Sequence, residues 1–133
     1  MDYSQLSDFE INKLVAYALG NADVGRPFDE KSGTACRFTV FKNSGLNREG
    51  EIVMHPMTVT KDFCNNPTDA WPIIVDNEIS LNSYSGTWEA SYEYDAPIGA
   101  FGTDETVTSG YEHRNPLRAA MIAFLMKQEH ANA

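Results

Sequence analysis

The chain has 133 residues and a formal net charge of −9, with 42% apolar and 11% aromatic residues. That length and composition predict one globular domain, residues 1–133, and exclude wholesale disorder. Because acidic proteins repel phosphate backbones, the charge disfavours generic nucleic-acid binding, and no apolar run approaches the ~18 residues of a membrane helix.

The N-terminal segment predicts a helix over residues 8–19. Ser7 and Glu10 form a capping box, in which each side chain can satisfy a free backbone N–H of the first turn. Gly20 stands where a left-handed C-cap is expected. The apolar residues between these signals have the spacing of one buried helix face: Ile11, Leu14, Val15, Ala18 and Leu19.

Strand patterns replace the helical period after this helix. Residues 36–42 alternate in the manner of a strand, and residues 51–54 and 58–60 predict further strand pieces. We expect a break between the last two at His55-Pro56, because proline cannot donate to a strand ladder.

Two Asn-Pro pairs, Asn66-Pro67 and Asn115-Pro116, predict the starts of two more helices. Asparagine caps a helix because its side-chain oxygen accepts from a first-turn N–H, and proline at the next position has no N–H to leave unpaired. We expect the first of these helices to be short and kinked or interrupted at Pro72. The second, over 116–129, is apolar on more than one side, which indicates deep burial or a subunit interface; we therefore predict a homo-oligomer.

Residues 79–84 and 87–94 predict a β-hairpin that turns at Ser85-Gly86, followed by a mobile loop over 96–110. Acidic residues without Lys or Arg among them are concentrated here: Glu89, Glu93, Asp95, Asp104, Glu105 and Glu112. Three interpretations are open: solvated surface, a mimic of nucleic-acid charge, or an acidic docking face for a protein. Together the elements predict an α+β fold, a three-layer α/β/α sandwich in which N-terminal, middle and C-terminal helices cover an antiparallel sheet.

Residues that could carry catalytic chemistry are sparse. The three His and two Cys residues do not have zinc-site spacing, and no glycine-rich phosphate loop is present. We expect free thiols in a reducing cytoplasm, and a nucleophilic pair of Cys36 or Cys64 with His113 is the remaining alternative. The sequence therefore predicts a protein that is not an enzyme and needs no cofactor or metal.

Residue types that could hold a small anion occur near the helix starts. Helix N-termini bind anions through free N–H groups, Arg pairs with phosphate, and aromatic rings stack on a nucleobase. The candidate ligand-binding residues are Arg118, Arg114, Asn115, Asn65, Asn66, Trp71, Trp88 and Tyr84, with Arg37 and Arg26 marking an alternative location. The competing interpretation makes the two Trp residues part of the core and Arg118 an ordinary surface ion-pair partner.

Residues 1–12, 64–77 and 115–128 together resemble the NinX family, small proteins encoded in the nin region of lambdoid phages. The same blocks are similar to the phage ABA sandwich domain, whose antiparallel sheet is covered by helices on both faces. The resemblance implies a phage accessory protein that acts in the host cytoplasm, and it includes no catalytic motif. Residues 21–63 contain no motif of this resemblance.

Two functions from different classes are consistent with these features. In the first, the protein sequesters a small, anionic, nucleotide-like immune signal of the host and so counters host defence. In the second, it inhibits a host protein through its acidic face or its apolar C-terminal helix. A thermal-shift screen with cyclic dinucleotides and ADP-ribose derivatives separates the two, because a ligand that binds only the folded state raises its melting temperature.

Overall fold

The computed structural model describes residues 1–21, 24–27, 33–97 and 104–132, and it has the α+β architecture that the sequence predicts. The helices are α1 (Asp8–Ala18), α2 (Pro67–Asp76) and α3 (Pro116–Ala131), preceded by a short 3-10 turn at Tyr3–Gln5. The strands are β1 (Val24–Pro27), β2 (Cys36–Leu46), β3 (Ile52–Lys61), β4 (Ser80–Tyr84), β5 (Thr87–Pro97) and β6 (Asp104–His113). They form two antiparallel sheets, in the orders β1-β2-β3 and β4-β5-β6, where the sequence analysis placed all strands in one.

The helix starts are those that the sequence predicts. Ser7 and Glu10 make the reciprocal capping box of α1, and Asn66 and Asn115 cap α2 and α3. Pro72 was expected to kink or interrupt helix α2; the interruption is wrong, because the helix continues through Pro72 to Asp76, and the kink stays a prediction. The buried face of α1 ends earlier than predicted: Ala18 and Leu19 are exposed, because the last turn of the helix extends beyond its packing partners.

Helix α3 is the centre of the hydrophobic core. Each residue from Arg118 to Leu125 is buried, and the helix contacts β5, β6, α1 and α2. The apolar residues on several sides of α3, which led us to predict an oligomer, are therefore buried by other elements of the same chain. This burial removes that reason for the prediction. None of the helices in the described ranges has the length and apolar character that crossing a bilayer requires.

The second sheet forms around the predicted hairpin. Ser85 and Gly86 both have positive φ, as a tight two-residue turn requires, and Trp88, Ala90 and Tyr92 face α3. The predicted mobile loop over 96–110 is wrong in extent: β5 continues to Pro97 and β6 begins at Asp104, and residues 98–103 lie outside the described part. Gly110, which made this segment resemble a loop, belongs to a strand. A Cβ there would lie 2.6 Å from the carbonyl oxygen of Ala90.

Strands β2 and β3 form a long two-stranded ribbon. Continuous pairing from Cys36↔Lys61 to Asn43↔Met54 includes Phe41↔Pro56, so the predicted break at His55-Pro56 is wrong. Proline is tolerated here because β3 is an edge strand, on which every second N–H points away from its neighbour. Residues 39–58, which we call the hairpin arm, contain no buried residue.

Candidate functional site

The N-termini of all three described α-helices converge at one place. The Asn115 side-chain amide donates to the Cys64 carbonyl at 2.8 Å and to Asn65 Oδ1 at 3.2 Å. Asn65 in turn donates to the Asp8 carboxylate at 3.1 Å. These bonds join the cap of α3, the residue before the cap of α2 and the first residue of α1. We call this group, with Arg118, Asn12 and Asp62, the helix-start cluster.

Arg118 uses its guanidinium inside the chain. One terminal nitrogen forms an ion pair with Asp8 at 2.6 Å, and the other donates to the carbonyls of Leu6 at 2.7 Å and Tyr3 at 3.2 Å. The residue is only 7% exposed, and its Nε has no hydrogen-bond partner in the structure. The anion in front of Arg118 is thus a carboxylate of the same chain. A structural role accounts for this contact geometry, and ligand binding by Arg118 stays a prediction.

A second buried side chain, Asn12, connects three segments beneath this ion pair. Its amide donates to the Thr34 carbonyl at 2.6 Å and to Asp62 at 2.8 Å, and its oxygen accepts from the Cys64 N–H at 3.0 Å. The Thr34 hydroxyl donates to the other Asp62 oxygen at 3.0 Å. Apart from Arg118 Nε, the buried side-chain nitrogen and oxygen atoms of the cluster have hydrogen-bond partners, in the manner of a polar network that fixes packing.

The titratable groups next to the cluster are held in their neutral forms. Burial raises the pKa of the Cys64 thiol, and burial raises that of Cys36 to about 11. Burial, followed by the nearby Arg118 charge, lowers the pKa of His113, whose Nδ1 accepts from the Asn115 N–H at 2.9 Å. A thiol that stays protonated at neutral pH is a poor nucleophile, so the arrangement does not favour a Cys–His pair. Within the described ranges, no three His, Cys, Asp or Glu side chains are placed to hold a metal ion.

The other predicted ligand-binding residues lie on different elements. Trp71 is 60% exposed on α2, Trp88 is half-buried on β5 beside His113, and Arg114 is exposed in the turn before α3. Arg37 is exposed on β2, and of Arg26 only the backbone, in β1, is described. The structure thus brings together Asn65, Asn115 and Arg118 through hydrogen bonds, whereas the aromatic candidates Trp71, Trp88 and Tyr84 lie in α2, β5 and β4.

Two cavities of about 290 Å³ each lie elsewhere in the described part. One is polar and lies at the edge of the second sheet, where Glu78, Ser80, Glu93 and Lys127 contribute to its wall. The other is a shallow apolar groove along α1, between Leu6, Leu14 and Tyr17. None of the predicted ligand-binding residues lines either cavity.

The outward face of the second sheet concentrates negative charge. Glu89, Glu93 and Asp95 alternate along β5, and Glu112 lies directly opposite Glu89 on β6. The hydroxyl of Tyr84, on β4, donates to Glu112, and its oxygen lies 3.4 Å from a carboxylate oxygen of Glu89. Strands β4, β5 and β6 contain no Lys or Arg. We call Glu89, Glu93, Asp95 and Glu112 the acidic face.

Sequence reasoning missed the residues that organise the helix-start cluster. Asp8, Asn12 and Asp62 were not among the candidates, although Asn12 follows Ile11 on the buried side of α1, where a polar side chain needs partners. Hydrogen bonds across 50 residues or more join Asn12 to Asp62 and Cys64. Others join Asp8 to Asn65 and Arg118, and local spacing cannot predict such pairs.

A protein-family model described as Bacteriophage P22, NinX matches residues 2–128. No curated protein matches the chain, and no solved structure does. The family match extends over nearly the whole chain, including residues 21–63, on which the resemblance of the three helical blocks did not depend.

Proposed function

The chain belongs to the Bacteriophage P22 NinX family, and on that premise we propose that this phage accessory protein binds a basic surface of a host protein in the host cytoplasm, without turnover. The surface that binds is the acidic face. Helix α3, which was the other predicted docking element, is buried by the sheet and by α1 and α2.

The observation that carries this proposal is the direct pairing of Glu89 with Glu112. Like charges opposite each other on neighbouring strands destabilise a sheet. Two unit charges about 5 Å apart repel by about 0.8 kcal/mol in water. The chain retains this unfavourable pair and connects both carboxylates through one Tyr84 hydroxyl. A Lys or Arg side chain from a partner relieves the repulsion and forms charge-assisted hydrogen bonds with both oxygens.

The remaining acidic residues extend the same charge along the strand. Side chains two residues apart on a strand are ~7 Å apart, so Glu89 and Asp95 span roughly 20 Å. That length is sufficient to contact several basic side chains of one partner. The charge also accelerates encounter with a cationic surface, which is the usual contribution of exposed charges to binding.

The proposal is tested with the double variant Glu89→Gln/Glu112→Gln. Removing the repulsion should make the folded state slightly more stable, by up to about 1 kcal/mol, while the amides can still accept from Tyr84. Host proteins captured from a bacterial lysate by the parent should be lost by this variant. The matched control is Glu49→Gln/Glu51→Gln, which changes the net charge equally on the hairpin arm and should capture the same proteins.

Two results contradict the proposal. If the parent and the acidic-face variant capture the same host proteins in equal amounts, the acidic face has no role in binding. If the acidic-face variant and the control variant both lose the captured host proteins to the same extent, binding depends on net charge alone and not on the arrangement of the carboxylates on the sheet.

A second candidate is sequestration of a small anionic, nucleotide-like ligand. What supports it is the convergence of three helix N-termini, each of which directs backbone N–H groups toward the helix-start cluster. Thermal-shift measurements with cyclic dinucleotides and ADP-ribose derivatives test it. A rise of several degrees that Asn65→Ala abolishes supports this candidate, and unchanged melting across the panel contradicts it.

A further inference from the structure

The hairpin arm is the one long stretch of the described chain that the protein leaves uncovered. Its 20 residues include none that is buried, and all of residues 41–52 are exposed. Five of the eleven exposed large apolar side chains of the described residues lie in this arm: Phe41, Leu46, Ile52, Met54 and Met57. Such concentration marks an interaction surface, because scattered single apolar residues are the usual pattern on a monomer.

The strand register places most of these side chains on one face. Phe41 pairs with Pro56, Asn43 with Met54, and Leu46 with Ile52, and cross-strand partners point to the same side of a ribbon. Residues two apart on β3 also share a side, so Ile52, Met54 and Pro56 lie in one row. This is the face opposite to buried Cys36 and Phe38, and hence it points away from the core. We call it the outer arm face.

The arm is also poorly supported as an isolated ribbon. Strand β1 pairs with β2 only at Cys36 and Phe38, so within the described residues β2 and β3 have no other neighbour along the arm. A two-stranded hairpin with an exposed apolar face is marginally stable in water and is prone to pair with another chain. A second layer on the outer arm face covers its apolar side chains and thereby stabilises the ribbon.

We propose that this layer is the same face of a second copy, so that two arms pack face to face about a twofold axis. The arm carries Lys42 and Arg48 against Glu49 and Glu51 and is formally neutral, whereas the rest of the chain carries the net charge of −9. Where two arms meet there is therefore no excess of like charge, and salt screens the repulsion between the acidic remainders of the two chains beyond about 8–10 Å. A standard interface uses about 20–30 residues a side. The outer arm face contributes four cross-strand pairs, Thr39↔Thr58, Phe41↔Pro56, Asn43↔Met54 and Leu46↔Ile52, so we expect a small interface and a weak, concentration-dependent dimer.

The first experiment needs no substitution. Sedimentation of the parent protein from about 1 to about 100 μM should show a shift from 14.8 kDa to twice that mass. Amide hydrogen exchange over residues 39–58 should slow with the same concentration dependence. A single 14.8 kDa species throughout overturns the proposal, and so does a dimer whose protection lies outside 39–58.

A matched pair of variants tests the face itself. Phe41→Thr/Ile52→Thr keeps strand-forming residues and should raise the dimer dissociation constant at least ~100-fold, since two apolar side chains are lost from each copy. Leu19→Gln removes another exposed apolar side chain, next to the end of α1, and should leave the dissociation constant unchanged. A dimer that is equally strong in the arm variant contradicts the proposal. If the arm variant fails to fold, the exchange measurement on the parent decides.

Discussion

Replacing Arg118 should destabilise the fold, although the sequence presented this residue as a ligand-binding candidate or a surface ion-pair partner. Arg118→Met keeps the apolar stem and removes every donor. Asp8 then loses its ion pair, and the carbonyls of Tyr3 and Leu6 lose their donors. Removing one partner of a buried pair costs about 3–5 kcal/mol. Because the Asp8 side chain is 27% exposed, water can solvate the unpaired carboxylate and offset part of this cost. We therefore expect the free energy of unfolding to fall by about 2–4 kcal/mol.

That loss converts into a measurable change in melting temperature. An unfolding entropy of about 2.1 cal/mol/K per residue gives ~0.28 kcal/mol/K for 133 residues, so ~3 kcal/mol lowers Tm by about 11 °C. Urea unfolding at pH 7 gives the free energy directly. A double-mutant cycle with Asp8→Asn should return a coupling of about 2 kcal/mol, since the two side chains are in contact.

The control is Arg114→Met, four residues earlier and exposed, which should change stability by less than ~0.5 kcal/mol. If Arg118→Met also falls within that range, the guanidinium does not hold the N-terminal segment, and a ligand-binding role for it regains support.

Three further predictions follow from groups near the helix-start cluster. Asn12→Ala leaves buried donors and acceptors without partners and should cost about 2–4 kcal/mol in urea unfolding; a loss below 1 kcal/mol contradicts the network. The pKa of His113 is lowered in the folded state, so the unfolded chain binds more protons near pH 6, and the free energy of unfolding should fall as the pH drops below 6.5. His113→Gln should remove that contribution, and an imidazole titration by NMR that returns 6.5 or higher refutes it. Cys36 and Cys64 should react with a disulfide reagent at pH 8 only after unfolding, because both thiol pKa values are raised; fast reaction of the native protein contradicts their burial.

The features that the sequence predicts correctly are local. A capping box, two Asn-Pro starts and a Ser-Gly turn each involve residues within four positions, and their hydrogen bonds form wherever the chain folds. Errors arise where tertiary context overrides the local signal. Pro56 does not end its strand because that strand is an edge, and Gly110 belongs to a strand because it must pass close to Ala90.

The candidate site shows the same limit. Asn65, Asn115 and Arg118 were identified as residue types suited to an anion, and they do lie together. Their partner, Asp8, was not identified, because nothing in residues 7–10 indicates contact with position 118. Whether an arginine near a helix start binds a ligand or a carboxylate of its own chain depends on a distant segment, which residue spacing does not encode.

The bond between Asp8 and Arg118 joins positions 110 residues apart in a chain of 133, and this separation constrains the order in which the molecule can form. During synthesis α1 emerges early, but its starting turn has no cation to dock against until α3 has left the ribosome. The β2–β3 ribbon closes through a five-residue connection and can therefore form long before the helices assemble. Nascent chains thus expose an apolar ribbon while the rest of the domain is still incomplete, a period in which aggregation competes with folding.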